Sequence, residues 1–195
     1  MTDAVRSPRE VLSFWIEDVG EAGWYAGGDD LDALVRDRFG RTWEAALEGR
    51  LGLWLTTPLD ALAYVILLDQ FPRNMFRGTP DSFASDPHAR AAAKTAIGRD
   101  WDLRVPEPER QFFYLPLEHS ENLVDQDRAV RLFAARMPGS AEQMIHARAH
   151  REQIRRFGRF PMRNAVLGRT NTPEEAAFLA EGGYRALIER LSAQA

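Results

Sequence analysis

Apolar residues recur along much of the chain at intervals of three and four, the spacing of one face of an α-helix. The clearest stripe lies in the segment 30–48 and contains Leu31, Leu34, Val35, Phe39 and Trp43. Gly49 follows it as a C-terminal stop. No segment alternates between apolar and polar residues within hairpin signals. The pattern therefore predicts an all-α protein.

Four helix starts are marked by a capping residue followed by proline, a pair that satisfies or removes N–H groups at a helix N-terminus. These pairs are Ser7-Pro8, Thr57-Pro58, Asp86-Pro87 and Thr172-Pro173. Together with the periodicity they predict about eight helices: 8–17, 30–48, 58–70, 87–98, 107–122, 125–136, 140–157 and 173–190. Short connections favour antiparallel neighbours, so we expect a single domain over 7–192, built as a helical bundle or short solenoid.

The composition narrows the class of protein and of partner. With 195 residues and 45% hydrophobic content, the chain is long enough for one full-sized core. The absence of cysteine fits a reducing, cytoplasmic compartment. Neither a signal-like N-terminus nor a long apolar run predicts a membrane. The net charge of −4 argues against nucleic acid as a partner, and oligomeric state is left open.

The segment 68–78, LDQFPRNMFRG, places polar side chains directly after an apolar run. Pro72 cannot continue the helix, so the helix should end near Gln70 and leave its last carbonyl groups without partners. Two interpretations follow for the donors beyond it. Arg73 and Asn74 cap those carbonyl groups, or they join Arg77 in a cleft that binds an anion.

Nearly the same letters recur at 160–168, FPMRNAVLG, after the predicted helix 140–157. Arg163 and Asn164 again follow Phe-Pro, with Met162 inserted between. The insertion favours two similar local solutions over a duplicated domain. We predict that both copies converge on the segment 117–121, LEHSE.

The segment 117–121 carries the residue types of acid–base chemistry. Glu118 and Glu121 are one helical turn apart, which suits proton transfer or metal ligation but is also common on solvated faces. His119 between them is a candidate general base or a hydrogen-bonded structural residue. Adjacency alone does not make Ser120 part of a catalytic triad.

The segment 146–159 combines two histidines with a stripe of arginines. His146 and His150 have the i, i+4 spacing of zinc-binding helices, but Ala147 stands where the HExxH motif requires glutamate. We therefore expect no metal and no other cofactor. The stripe contains Arg148, Arg151, Arg155 and Arg159, and it either faces solvent or pairs with acidic groups. Phosphate-binding GxxxxGK[ST], GxGxxG and GxSxG signatures do not occur.

Several long segments of the sequence resemble the bacterial domain-of-unknown-function 924 family. They are VLSFW (11–15), LLDQFPRNMFRGT (67–79), FFYLPLEHSENLVDQDRAVRLF (112–133) and RFGRFPMRNAVLGRTNTPEEAAFL (156–179). The resemblance implies one all-helical domain similar to the tetratricopeptide superfamily, although the signature of that repeat is missing. It implies no function. Family members often read GRFPHRN, whereas this chain has Met162 at the histidine position.

From these segments we expect a binding module with a cleft for a small anionic molecule or a peptide terminus. The candidate ligand-binding residues are Arg73, Asn74, Arg77, His150, Arg159, Arg163 and Asn164. One alternative is that these residues form a buried structural ion-pair network in an interaction scaffold. The other is a metal-independent acid–base enzyme that uses Glu118 or His119, with Glu121 as a further candidate. Binding is favoured over catalysis.

Overall fold

The structure is a computed structural model that describes residues 4–194. Over this range the regular elements are α-helices, 3-10 turns and a π-helical stretch, without a β-strand, so the all-α prediction is confirmed. The chain divides into two compact units, the first ending at Pro116 and the second beginning at Leu117. The single domain over 7–192 and the tetratricopeptide-like arrangement stay predictions.

The first unit contains most of the helices. They are α1 (Pro8–Leu12), α2 (Gly20–Trp24), α3 (Asp29–Leu47), α4 (Pro58–Asp69), α5 (Phe71–Met75), α6 (Asp86–Gly98) and the start of α7 (Leu115–Glu118). Between α1 and α2 lies the π-helical stretch Ser13–Val19. The 3-10 turns are Gly52–Thr56, Pro80–Phe83, Asp102–Arg104 and Glu109–Phe113.

Helix α4 is the centre of the first unit. It begins as the sequence predicts, because Thr57 accepts a hydrogen bond from the Asp60 N–H and Pro58 needs no partner. Every residue from Ala61 to Asp69 is buried, and α4 packs against α1, α3 and α6. Aromatic rings from other elements fill the adjoining core: Phe14, Trp15, Phe39, Phe71 and Phe112.

The second unit is built around a pair of longer helices. Its elements are α8 (Leu123–Arg136), α9 (Ala141–Phe157), the 3-10 turn Pro161–Arg163, α10 (Pro173–Ala180) and α11 (Gly183–Ser192). Helix α9 packs against α8 and α11. The apolar contact with the C-terminal helices centres on Ala149, Phe178 and Leu187. Gly158 ends α9 in the left-handed conformation, with φ of 69°.

Three predicted helices differ from the structure. The helix expected at 8–17 is α-helical only to Leu12 and π-helical from Ser13. The helix expected at 107–122 is replaced by the turn Glu109–Phe113 and the four-residue α7, because Pro108 and Pro116 each lack a backbone donor. The helix expected at 173–190 is divided at Gly182, whose φ is 97°. Within residues 4–194, no helix combines the length and the apolar character needed to cross a membrane.

Candidate functional site

In the first unit, Arg73 lies on α5 and contacts two carboxylates. Helix α4 ends at Asp69, as Pro72 predicts, but the chain enters α5 after a single residue. Arg73 donates to Asp86 Oδ1 at 2.9 Å and lies 3.5 Å from Asp69 Oδ1. The interpretation of Arg73 as a cap for the α4 carbonyl groups is therefore wrong, since nearby carboxylates are stronger acceptors for a guanidinium.

Asp32, Asn74 and Arg77 form what we call the first clasp. Arg77 binds the Asp32 carboxylate through two nitrogens: Nε donates at 2.6 Å and Nη2 donates at 2.9 Å. Asn74 donates to Oδ1 of the same carboxylate at 2.8 Å. The hydrogen bond from Arg77 holds the pKa of Asp32 below its usual range. The capping role expected for Asn74 is also wrong, because its amide binds a side chain of α3.

Arg159, Asn164 and Glu175 form the second clasp, in the second unit. Arg159 binds both carboxylate oxygens of Glu175, at 2.6 and 2.7 Å, and Asn164 donates to Oε2 at 3.2 Å. Glu175 also accepts from the Thr172 N–H at 2.7 Å, which makes it part of the capping box of α10. The hydrogen bond from Arg159 and these other donors lower the pKa of Glu175 to about 2.

Glu121 joins the segment 117–121 to the second Phe-Pro segment. It accepts from the backbone N–H of Phe160 at 2.8 Å and from two nitrogens of Arg169 at 2.8 and 2.9 Å. Burial raises the pKa of Glu121, but Arg169 and the Phe160 N–H outweigh burial and lower it. The predicted approach of the second copy to LEHSE is thus present within the second unit. The approach of the first copy stays a prediction.

Glu118 and Glu121 do not share a helical face, contrary to the prediction. Helix α7 ends at Glu118, and Glu121 lies in the turn before α8. Glu118 is buried, with 1% of its surface exposed. Gln126 donates to the Glu118 carbonyl oxygen, and Ser120 donates to Asp125 Oδ2 at 2.8 Å. The two glutamates therefore have different environments, and Ser120 has a structural partner.

His150 lies on α9, and one of its ring nitrogens makes a hydrogen bond to the backbone. Its Nδ1–H donates to the carbonyl oxygen of His146 at 2.9 Å, because a carbonyl only accepts. Oε2 of Glu118 and the hydroxyl of Tyr184 lie 3.4 and 3.3 Å from the same nitrogen. This tautomer leaves a lone pair on Nε2. In the described chain, no group makes a hydrogen bond to Nε2, and the side chain is 19% exposed.

The surroundings of His150 are aromatic and carry charges of both signs, since the Glu118 carboxylate lies 3.4 Å from Nδ1. Its ring meets the Phe160 ring edge-on, with centroids 5.5 Å apart, and the His119 ring at 6.0 Å. Arg163 stacks its guanidinium over the same Phe160 ring, 4.5 Å from the centroid. Burial lowers the pKa of His150 to about 3, and the charges of His119 and Arg163 act in the same direction.

His146 takes part in a contact between α9 and α11. Its Nδ1 lies 2.6 Å from the hydroxyl of Tyr184, and burial lowers the pKa of His146. In residues 4–194, no group of three His, Cys, Asp or Glu side chains is arranged to hold a metal ion. Both i, i+4 histidines contact the hydroxyl of Tyr184, which joins α9 to α11.

Sequence reasoning missed the carboxylates that the arginines bind, the arginine that binds Glu121, and the tyrosine that contacts the histidines. The missed residues are Asp32, Asp69, Asp86, Arg169, Glu175 and Tyr184. Glu175 carried a local signal, since it is the N3 glutamate of a capping box. Asp69 is only four residues from Arg73. The others are distant in sequence from their partners, as Asp32 is from Arg77, and have no local signal.

The fold and the site geometry define an all-helical protein with two clasps, each made of an arginine, a carboxylate and an asparagine. The chain belongs to the family described as bacterial protein of unknown function DUF924, whose model matches residues 11–183. A similar solved structure is the protein of unknown function ATU0120 from Agrobacterium tumefaciens. It is 41% identical, with a TM-score of 0.84, over 89% of this chain and 97% of that chain. No curated protein matches the chain.

Proposed function

We propose that the protein binds a small anionic ligand, or the carboxylate terminus of a peptide, at His150 and Arg163 in the second unit. The observation that carries the proposal is the state of His150. Its Nδ1–H is held by the His146 carbonyl, and its Nε2 lone pair lies in a partly exposed side chain without a protein donor in the described chain. A polar atom held in this way is available to a ligand.

The charge around His150 supports an anion as that ligand. The positive charge of Arg163 acts on His150, and Arg163 stacks on Phe160. The carboxylate of Glu118 lies on the Nδ1 side of the ring, 3.4 Å from that nitrogen. A guanidinium presents planar donors that fit a carboxylate or phosphate. Positive charge beside a fixed acceptor favours small oxyanions over neutral molecules of the same size.

The arginines of the two clasps are not part of the proposed site. Arg77 and Arg159 each bind a carboxylate of their own unit through two atoms, and Arg73 contacts Asp69 and Asp86. An external anion would have to displace a bound carboxylate from each of them. The clasps thus support the structural alternative for these residues, so the binding proposal is centred on His150.

Catalysis receives less support than binding. A general base works best when its pKa lies near the operating pH, whereas burial and neighbouring charges lower the pKa of His150 to about 3. A neutral imidazole of this kind accepts hydrogen bonds without taking up a proton near neutral pH. A cytoplasmic setting is part of the proposal and is supported by a chain without cysteine.

A thermal-shift screen of carboxylates and phosphate tests the proposal. We expect at least one anion to raise the Tm of the wild type, because a ligand that binds the folded state stabilises it. Arg163→Gln should abolish the shift. Arg148→Gln, which neutralises an exposed arginine on α9, is the matched control and should retain it. The proposal fails if no anion shifts the wild type, or if both variants respond alike.

A further inference from the structure

A completely buried amide lies in the second unit, on helix α9. The side chain of Gln153 has no exposed surface, and neither its amide nitrogen nor its amide oxygen makes a hydrogen bond to any group of residues 4–194. Such groups are rare in folded proteins, because a buried amide gives up its hydrogen bonds to solvent and has to replace them. Both ends of the Gln153 amide therefore require a partner.

The residues one helical turn to either side of Gln153 are apolar. Ala149 precedes it by four positions and Phe157 follows it by four, and residues at this spacing are neighbours on a helix surface. Ala149 forms an apolar cluster with Phe178 and Leu187, and Phe157 packs against that cluster. None of these side chains has a hydrogen-bonding group. They give the amide apolar contacts but no partner.

His150 is a polar neighbour of Gln153, three positions towards the N-terminus of α9. Its Nδ1–H donates to the His146 carbonyl at 2.9 Å, and the Glu118 carboxylate lies 3.4 Å from the same nitrogen. The neutral ring has no second N–H, so it has no donor left for the Gln153 amide oxygen. No hydrogen bond joins the two side chains in the described chain. The partner of the amide oxygen is therefore not this histidine.

A small molecule that both donates and accepts meets the needs of this amide. The amide nitrogen requires an acceptor, and the amide oxygen requires a donor. Water supplies both, and buried waters occur about once per 27 residues, bonded to polar groups that lack a protein partner. A chain of 195 residues therefore accommodates several. Immobilising such a water costs less free energy than leaving a buried amide unpaired.

We infer that the amide of Gln153 forms a binding site for ordered internal water within the second unit. Water accepts a hydrogen bond from the amide nitrogen and donates one to the amide oxygen. The site is independent of the proposed anion site, because it uses neither Arg163 nor the Nε2 atom of His150. It also gives a physical reason for glutamine between two apolar neighbours, where methionine would fill a similar volume without needing a partner.

NMR spectroscopy of the isotope-labelled wild type tests the inference directly. We expect both side-chain amide protons of Gln153 to show NOE cross-peaks to water, with the sign of a long-lived complex. The rotating-frame experiment separates these cross-peaks from proton exchange, because the two effects have opposite signs there. Correlations through the side chain assign the signals without a variant. If neither amide proton shows an NOE to water, the inference is overturned.

A matched pair of variants tests whether the water depends on the amide. Gln153→Met keeps the length of the side chain and removes the amide, so magnetic relaxation dispersion of water should detect fewer long-lived waters than in the wild type. Gln143→Met makes the same change at a partly exposed position of α9 and should leave the number unchanged. An unchanged number in Gln153→Met contradicts the inference. If Gln153→Met does not fold, the wild-type NOE measurement decides the question alone.

Discussion

The two Phe-Pro segments of this protein have nearly the same sequence but make different contacts. In both, the asparagine donates to a carboxylate that an arginine binds through two atoms: Asn74 with Asp32 and Arg77, and Asn164 with Glu175 and Arg159. The arginine of each clasp comes from a different side of the motif, after the asparagine in the first and before it in the second. The clasp is thus a shared solution reached through different residues.

The copies differ at the arginine that precedes the asparagine. Arg73 contacts the carboxylates of Asp69 and Asp86, whereas Arg163 stacks on Phe160 beside His150. Both arginines precede an asparagine and follow Phe-Pro, with Met162 inserted in the second copy, so the sequence does not distinguish their contacts. The comparison teaches that an Arg-Asn pair after Phe-Pro marks a helix junction, and that the side chains brought close by the fold decide what each arginine contacts.

The largest expected effect is the loss of stability when a clasp carboxylate is removed. Glu175→Ala leaves Arg159 and Asn164 without their shared acceptor and also removes the capping box, so we expect a loss of about 3 kcal/mol. Asp32→Ala should cost about 2 kcal/mol, because Arg77 is 54% exposed and water can replace part of the lost contact. Urea unfolding followed by circular dichroism measures both.

An exposed ion pair provides the control for the clasps. In the pair of Arg185 and Glu189, 90% and 65% of the side chains are exposed, so Glu189→Ala should change the free energy of unfolding by less than about 0.5 kcal/mol. If Glu175→Ala costs no more than Glu189→Ala, the second clasp does not stabilise the fold. If Asp32→Ala costs more than Glu175→Ala, the ranking of the two clasps is reversed.

The second expected effect is an acid sensitivity that comes from the second unit. The pKa of His150 falls from 6.5 to about 3 in the folded protein, mainly through burial. Below pH 6.5 the unfolded chain therefore binds a proton that the folded state does not, and stability falls as the pH falls towards 3. One such proton contributes a slope of up to about 1.4 kcal/mol per pH unit, or about 1.6 kcal/mol between pH 6.5 and 5, because the unfolded histidine is only half protonated at pH 6.5.

Two histidine substitutions assign this slope. His150→Asn removes one titrating group and should reduce the dependence of the unfolding free energy on pH between 7 and 5, while His146, whose pKa burial also lowers, keeps part of it. His88→Asn changes an exposed histidine of the first unit and should leave the slope as in the wild type. Urea unfolding at several pH values gives both slopes. An unchanged slope in His150→Asn would show that other groups carry the acid sensitivity.

Much of the fold could be predicted because its signals are local. The capping box at Ser7 and the cap at Thr57 lie within one turn of the groups that they satisfy, and the structure confirms both. The predicted helix at 107–122 failed because apolar periodicity does not register a missing backbone donor inside the segment. There, Pro108 and Pro116 divided a run that reads as one helix.

The candidate site could be predicted only in part, because residue types are visible in sequence and partners are not. The sequence offers Arg77 and Arg159 as candidate ligand-binding residues, but the carboxylates that they bind in the structure are 45 and 16 residues away in the chain. His150 was selected for its spacing from His146, whereas its importance comes from a hydrogen bond to the backbone that fixes its tautomer. The sequence does not show this hydrogen bond, nor the aromatic ring of Phe160 that lies beside His150.

The smallest expected effect concerns Met162, the residue inserted in the second copy and absent from the first. The resemblance to relatives with histidine at this position suggests a role, but the Met162 side chain is 56% exposed. Met162→His should therefore change the free energy of unfolding by less than about 0.5 kcal/mol, as for other exposed positions. Thermal unfolding of the wild type and of this variant measures the difference. A larger gain in stability would mean that an imidazole at 162 finds a partner within the second unit, and the insertion would then belong to the clasp. A neutral result leaves the difference between the two copies with Arg73, which contacts the carboxylates of Asp69 and Asp86, and with Arg163, which stacks on Phe160.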